Sequence, residues 1–145
     1  MHVKAYMTPR IVTVEMDDTL VTVREIFDNT GFHHLVVVER GEVVGVVSDR
    51  DVLRHLSPHV GTLAETARDA ATLQKPVHFV MTRKPPTVTA ESELGEVLDK
   101  FQQKDVTCLP VVDEHNKAVG IVTWRDLLKV LRALLLPAAD PATGT

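Results

Sequence analysis

Apolar positions along the chain fall into short runs and helical stripes, and the same order of elements occurs twice. Ile11-Val12-Thr13-Val14 is a short β-rich run. Leu20, Val23, Ile26 and Phe27 follow at helical spacing, with Asp18 placed as the N-cap and Gly31 as the C-terminal stop. Leu35-Val36-Val37-Val38 is too short for a helix and predicts a buried strand, turned by Arg40-Gly41 into a return strand over Val43 to Val47. A helix from about Asp49 to Leu56 closes the unit, with Pro58 just past it. The second unit runs the same way. Thr87-Val88-Thr89 is its short strand, and Ser92 is placed to cap a helix carrying Leu94, Val97, Leu98 and Phe101. Leu109 to Val112 turns through Glu114-His115-Asn116-Lys117 into Ala118 to Thr123, and a helix runs from Trp124 to about Leu136.

The two units are copies. Met7-Thr8 matches Met81-Thr82, Leu20 matches Leu94, Phe27 matches Phe101 and Leu35 matches Leu109, each at an interval of 74 residues. After the hairpin turn the interval becomes 75, so the second copy carries one extra turn residue. A β-α-β-β-α plan leaves one apolar sheet face that a second copy would cover. The expected architecture is therefore α/β (α+β), with two repeats packed about a pseudo-two-fold axis. The expected divisions are repeat 1 over 3–56, a helix-favouring insertion over 57–76, repeat 2 over 77–136 and a mobile tail over 137–145.

Each repeat carries the same corner: Gly45-Val46-Val47-Ser48-Asp49-Arg50-Asp51 and Gly120-Ile121-Val122-Thr123-Trp124-Arg125-Asp126. A strand that ends in a hydroxyl at a helix start presents free N–H groups and the positive end of the helix dipole, which suit an anion. An acid one turn in can accept bonds from a sugar diol. The same hydroxyl-x-x-acid spacing is also an ordinary capping pattern, in which both side chains satisfy backbone N–H groups. Duplication does not separate these readings, because a cap would be copied too.

Composition narrows the classes. A chain of 145 residues with 44% hydrophobic content can bury a real core. A formal charge of −4 argues against a nucleic-acid binder, so any anion site must be local. A single cysteine, Cys108, rules out an internal disulfide and fits a reducing compartment. No run approaches the ~18 apolar residues of a membrane span, and the beginning shows no apolar signal core. These features lead to the expectation of a soluble cytoplasmic protein.

At this point the chain resembles a tandem CBS domain pair, the Bateman module, of the stand-alone bacterial type. The matching stretches are Lys4-Ala5-Tyr6-Met7-Thr8-Pro9 with His78-Phe79-Val80-Met81-Thr82, Leu35 to Glu39 with Leu109 to Asp113, and the two corners. The resemblance covers roughly residues 3–133. It implies a non-catalytic module that binds an adenosine ligand (AMP, ADP, ATP or S-adenosylmethionine), pairs into a homodimer and signals to an effector protein the sequence does not name. It places Asp51 and Asp126 on ribose hydroxyls, Ser48 and Thr123 near ribose or phosphate, and Arg50 and Arg125 near phosphate. It nominates Thr8 and Arg10 for the second cleft, Thr82 and Lys84 for the first, and His33-His34 and Thr107-Cys108 beside adenine. Trp124 could stack on a base or stand exposed. Asp49 stands where the second corner has Trp124, which adds an acid beside the first phosphate path. Unequal clefts follow, with phosphorylated adenosine favouring the second.

Other candidates carry less. His55 and His59 have chelating spacing, yet Pro58 lies between them and no nearby acid or cysteine completes a metal set. Cys108 beside a buried strand reads as a small core residue rather than a nucleophile. Leu127, Leu128, Val130, Leu131, Leu134 and Leu135 make a stripe wider than one core face requires, which predicts a dimer contact. An enzyme would need a nucleophile–base pair, a phosphate loop or a metal set, none of which the sequence offers. The remaining alternative is a structural interaction scaffold with vestigial pockets.

Overall fold

The computed structural model describes residues 1–104 and 106–136. Repeat 1 contains β1 (Thr13–Glu15), α1 (Leu20–Thr30), β2 (His34–Glu39), β3 (Glu42–Ser48) and α2 (Asp49–His55). A short helix α3 (Ala67–Ala71) lies in the connecting segment. Repeat 2 follows with β4 (Thr82–Arg83), α4 (Leu94–Lys104), β5 (Cys108–Val112), β6 (Ala118–Thr123) and α5 (Trp124–Leu135). One sheet has the order β1-β2-β3-β4, with β1 parallel to β2 and the other pairs antiparallel. The other sheet is the antiparallel pair β5-β6. It is flanked by single bridges, Val88 to Val111 and Thr8 to Ile121, where the first sheet has β1 and β4. The expected strand at Thr87-Val88-Thr89 shrinks to that one bridge. Pro85-Pro86 precede it where repeat 1 has Ile11-Val12, and prolines have no N–H to extend a ladder.

The alternation of the strands sorts their side chains into three cores. Leu35, Val37 and Val47 face the helices of repeat 1, while Leu109, Val111 and Val122 face those of repeat 2. Val36, Val38, Val43 and Val46 point the other way and meet Cys108, Val112 and Ile121 between the two sheets. This third core is the contact that joins the repeats. Burying each Val or Leu fully contributes about 1.5–3 kcal/mol, so neither sheet would be stable with that face in water.

Short leader segments cross between the halves. Val3, Tyr6 and Met7 belong to the core of repeat 2, whereas Val77, Val80 and Met81 belong to that of repeat 1. The backbone ties each one down: Val3 N–H donates to Ser92 O at 3.0 Å, and Val77 N–H to Asp18 O at 2.7 Å. Two glycines make room. A Cβ on Gly120 would lie 2.9 Å from Thr8 O and from Met7 Sδ. A Cβ on Gly45 would lie 2.9 Å from Thr82 O and 2.6 Å from Met81 Sδ.

The turns correct two expectations. Asp18 accepts the Glu15 N–H at 2.8 Å, and Thr19 is the N-cap of α1. Ser92 does the same work in repeat 2, accepting the Thr89 N–H at 3.0 Å. Both side chains reach back three residues to brace the strand-to-helix turn instead of capping forward. Gly31 ends α1 with φ of 72°, as its position suggests. In the connecting segment, expected to be helix-favouring over Leu63 to Leu73, the regular structure is confined to α3 and a 3-10 turn over Thr72–Gln74. The tail expected to be mobile, 137–145, lies outside the described residues.

Candidate functional site

Both corners fold as strand-to-helix turns, and both acids point back to their own hydroxyl residue. At the first, Ser48 N–H donates to Asp51 Oδ2 at 2.9 Å and Asp51 N–H donates to Ser48 Oγ at 3.0 Å, a complete capping box. At the second, Thr123 N–H donates to Asp126 Oδ2 at 3.0 Å. Its other oxygen differs in kind. Asp126 Oδ1 accepts the Thr8 hydroxyl at 2.9 Å, and Asp126 is only 2% exposed. Thr8 reaches it because the leader lies on Gly120 and pairs with Ile121 through both backbone groups at 2.9 Å.

A cavity of about 510 Å³ opens beside this second corner. Thr8 and Arg10 wall it from the leader, His33 and His34 from the start of β2, Thr107 from the approach to β5, and Thr123, Trp124 and Arg125 from the start of α5. Among the described residues, no carboxylate lines it. Asp126 lies behind Thr8 and Thr123, outside the lining. The volume falls within the about 300–1,000 Å³ of typical small-molecule sites. Two guanidinium groups beside one hollow set a local positive field in a chain of net negative charge.

The histidines are fixed by different partners. His33 Nδ1 bonds Asp49 Oδ2 at 2.8 Å, so the acid expected beside the first phosphate path is engaged by an imidazole. Asp49 faces a second hollow of about 560 Å³ between α1, α2 and Ser57 to Val60. His34 Nε2 bonds Thr107 Oγ1 at 2.9 Å and spans the two repeats. Burial lowers the His34 pKa below its ordinary 6.5, and His33 adds to this, while Asp49 and Asp51 oppose it. The ring is therefore neutral near neutral pH.

The other nominated residues stand elsewhere. Ser48, Arg50, Asp51, Thr82, Lys84 and Cys108 line neither hollow. Thr82 is on the edge strand β4 against Val46, and exposed Lys84 holds a left-handed φ of 48° just past it. Cys108 is buried in the inter-sheet core, and burial, helped by the Asp51 charge, pushes its thiol up to about 12. Apolar walls that sequence reasoning missed are Ile11, Val12, Phe32, Val36, Ile121 and Leu128. Phe32, next to the helix stop Gly31, offered the one visible signal.

The CBS domain family profile matches the chain twice, over residues 3–58 and 77–133. The chain belongs to the CBS domain family. A CBS domain-containing protein of Dictyostelium discoideum is 31% identical over 137 residues, covering 93% of this chain and 94% of its own. Among solved structures, a CBS domain pair in complex with 5′-methylthioadenosine and S-adenosyl-L-methionine aligns with a TM-score of 0.76 at 21% identity, over 92% of this chain and 98% of that one. The protein CBSX2 in complex with AMP aligns with a TM-score of 0.74 at 26% identity, over 92% and 98%. The fold is that of a CBS pair, two repeats about a pseudo-two-fold axis. Within this pair the two clefts differ in content. Where the open one has Ile11, Val12, His34 and Val36, the pseudo-equivalent positions hold Pro85, Pro86, Cys108 and Pro110. Pro85, Cys108 and Pro110 are buried.

Proposed function

We propose that this CBS pair is a non-catalytic regulatory sensor of phosphorylated adenosine, AMP, ADP or ATP, bound first at the Thr123 cleft. The observation that carries the reading is the 510 Å³ hollow lined by two arginines, two histidines and a tryptophan, with no acid in its lining among the described residues. Arg10 and Arg125 stand at the rim for phosphate, since guanidinium groups form charge-assisted bonds with its oxygens. Ile11, Val12 and the Trp124 ring offer apolar faces for adenine, with His34 and Thr107 at the end of the slot. Asp126, behind Thr8, is the acid for ribose. S-adenosylmethionine brings a sulfonium and an ammonium against one carboxylate, so the same field disfavours it. Solved relatives hold AMP in one case and 5′-methylthioadenosine with S-adenosyl-L-methionine in another, so they support an adenosine ligand and the choice between them rests on the charge of the cavity.

Calorimetric titration with AMP, ADP, ATP and S-adenosylmethionine tests the reading. We expect the phosphorylated ligands to bind more tightly, with affinity falling as salt rises. Turnover assays on the same samples should show no product. Indifference to all four ligands would refute the sensor.

The scaffold reading is favoured at the first cleft. There Ser48 and Asp51 satisfy each other as a capping box and buried prolines stand in for the cavity wall. We assign that cleft, with Arg50, Thr82 and Lys84, a weaker second event. The output passes to a partner, a second copy through α5 and an effector chain beyond it.

A further inference from the structure

We propose that the Thr8 hydroxyl holds the place on Asp126 that a ligand ribose would take, so that Thr8 sets how strongly the cavity distinguishes ribose from its deoxy forms. This rests on the nucleotide reading above. Asp126 is 2% exposed and both its oxygens are engaged, Oδ2 by the Thr123 N–H at 3.0 Å and the Thr123 hydroxyl at 3.4 Å, and Oδ1 by the Thr8 hydroxyl at 2.9 Å. Thr8 lines the cavity and covers Oδ1 on that side, so a ribose hydroxyl competes with it for that oxygen. The Thr123 N–H is fixed by the start of α5. The Thr8 hydroxyl turns on a single side-chain bond, and the backbone of Thr8 stays paired to Ile121 at 2.9 Å on both sides.

Position makes Thr8 the gate. It lines the cavity, whereas Asp126 lies behind it. The exchange conserves the count of hydrogen bonds at the acid: Oδ1 releases the Thr8 O–H and accepts a ribose O–H, while the freed hydroxyl turns into the cavity. The leader that carries Thr8 also carries Tyr6, whose buried hydroxyl has no hydrogen-bond partner among the described residues. Burial raises the Tyr6 pKa, and the charges of Glu93 and Asp126 add to this, so a second hydroxyl donor sits in the field of the same carboxylate.

The test is a cycle of protein and ligand variants. Wild type, Thr8→Val and Thr8→Ser are titrated with AMP and with 2′,3′-dideoxy-AMP, and thermal melts confirm that each is folded. Thr8→Val should tighten AMP by about tenfold, because the competing charge-assisted bond is gone, and leave the dideoxy ligand unchanged. Thr8→Ser should restore the wild-type ratio. Thr8→Ala serves the same reading if the valine variant fails to fold. Weaker AMP binding in Thr8→Val, or equal shifts for both ligands, would overturn the proposal while leaving the nucleotide site standing. Wild type that binds neither ligand would overturn the nucleotide reading and this inference with it.

Discussion

His34 shows at the scale of one residue how position sets chemistry. Burial keeps its ring neutral, below its ordinary pKa of 6.5, and Thr107 holds it across the repeat boundary. The unfolded chain binds a proton in that window that the folded chain does not. Its stabilising contribution is therefore complete above about pH 6.5 and is lost as pH falls through that value toward the folded pKa. Asp69, Glu93 and Asp113, held low by hydrogen bonds, lose theirs only in the lower carboxylate range. Denaturant titrations at successive pH values should show a step just below 6.5 that His34→Gln flattens; parallel profiles for the two proteins would contradict this. Cys108, pushed up to about 12, should resist alkylation until the chain unfolds.

At the scale of elements, the two hairpins and the stop at Gly31 are legible because each rests on local rules, alternation, turn residues and a left-handed glycine, whereas β4 is not anticipated and Thr87-Val88-Thr89 keeps a single bridge. The leaders were not legible as packing elements. Thr8 and Asp126 are 118 residues apart, and no periodicity announces that Met7-Thr8 lies on Gly120. The duplication supplied the hint, since Met81-Thr82 lies on Gly45 in the same way. Gly120→Ala should cost about 1–3 kcal/mol, because a backbone oxygen cannot step aside as a flexible side chain can. A chemical denaturation series on Gly120→Ala and Gly45→Ala checks it. The stripe on α5 was read from spacing alone. In the structure Val130 is buried while Leu128, Leu131, Leu134 and Leu135 stand exposed. We expect light scattering to show a homodimer at tens of micromolar, on the order of ordinary dimer affinities, and Leu131→Glu with Leu135→Glu to return monomers. A wild-type monomer there would contradict this.

At the scale of the molecule, two copies of one plan give unequal clefts. The fold was readable from the duplication. The inequality was readable only in part, through Asp49 against Trp124. The rest comes from burial: Asp126 sits behind Thr8, and Pro85, Cys108 and Pro110 are buried where the open cleft has its walls. Asp51→Ala should therefore lower stability by about 0.5–2 kcal/mol, the value of a lost cap, and leave the tight nucleotide event in place. Asp126→Ala should abolish that event. The most direct test of the central claim uses Trp124, the single tryptophan of the chain, which lines the cavity. Its fluorescence should change saturably on titration with AMP or ATP, change less with S-adenosylmethionine, and lose the response to AMP in Arg10→Ala with Arg125→Ala. Nucleotide binding detected by calorimetry with a silent Trp124, or a response unaltered by loss of both arginines, would place the ligand elsewhere and contradict the assignment.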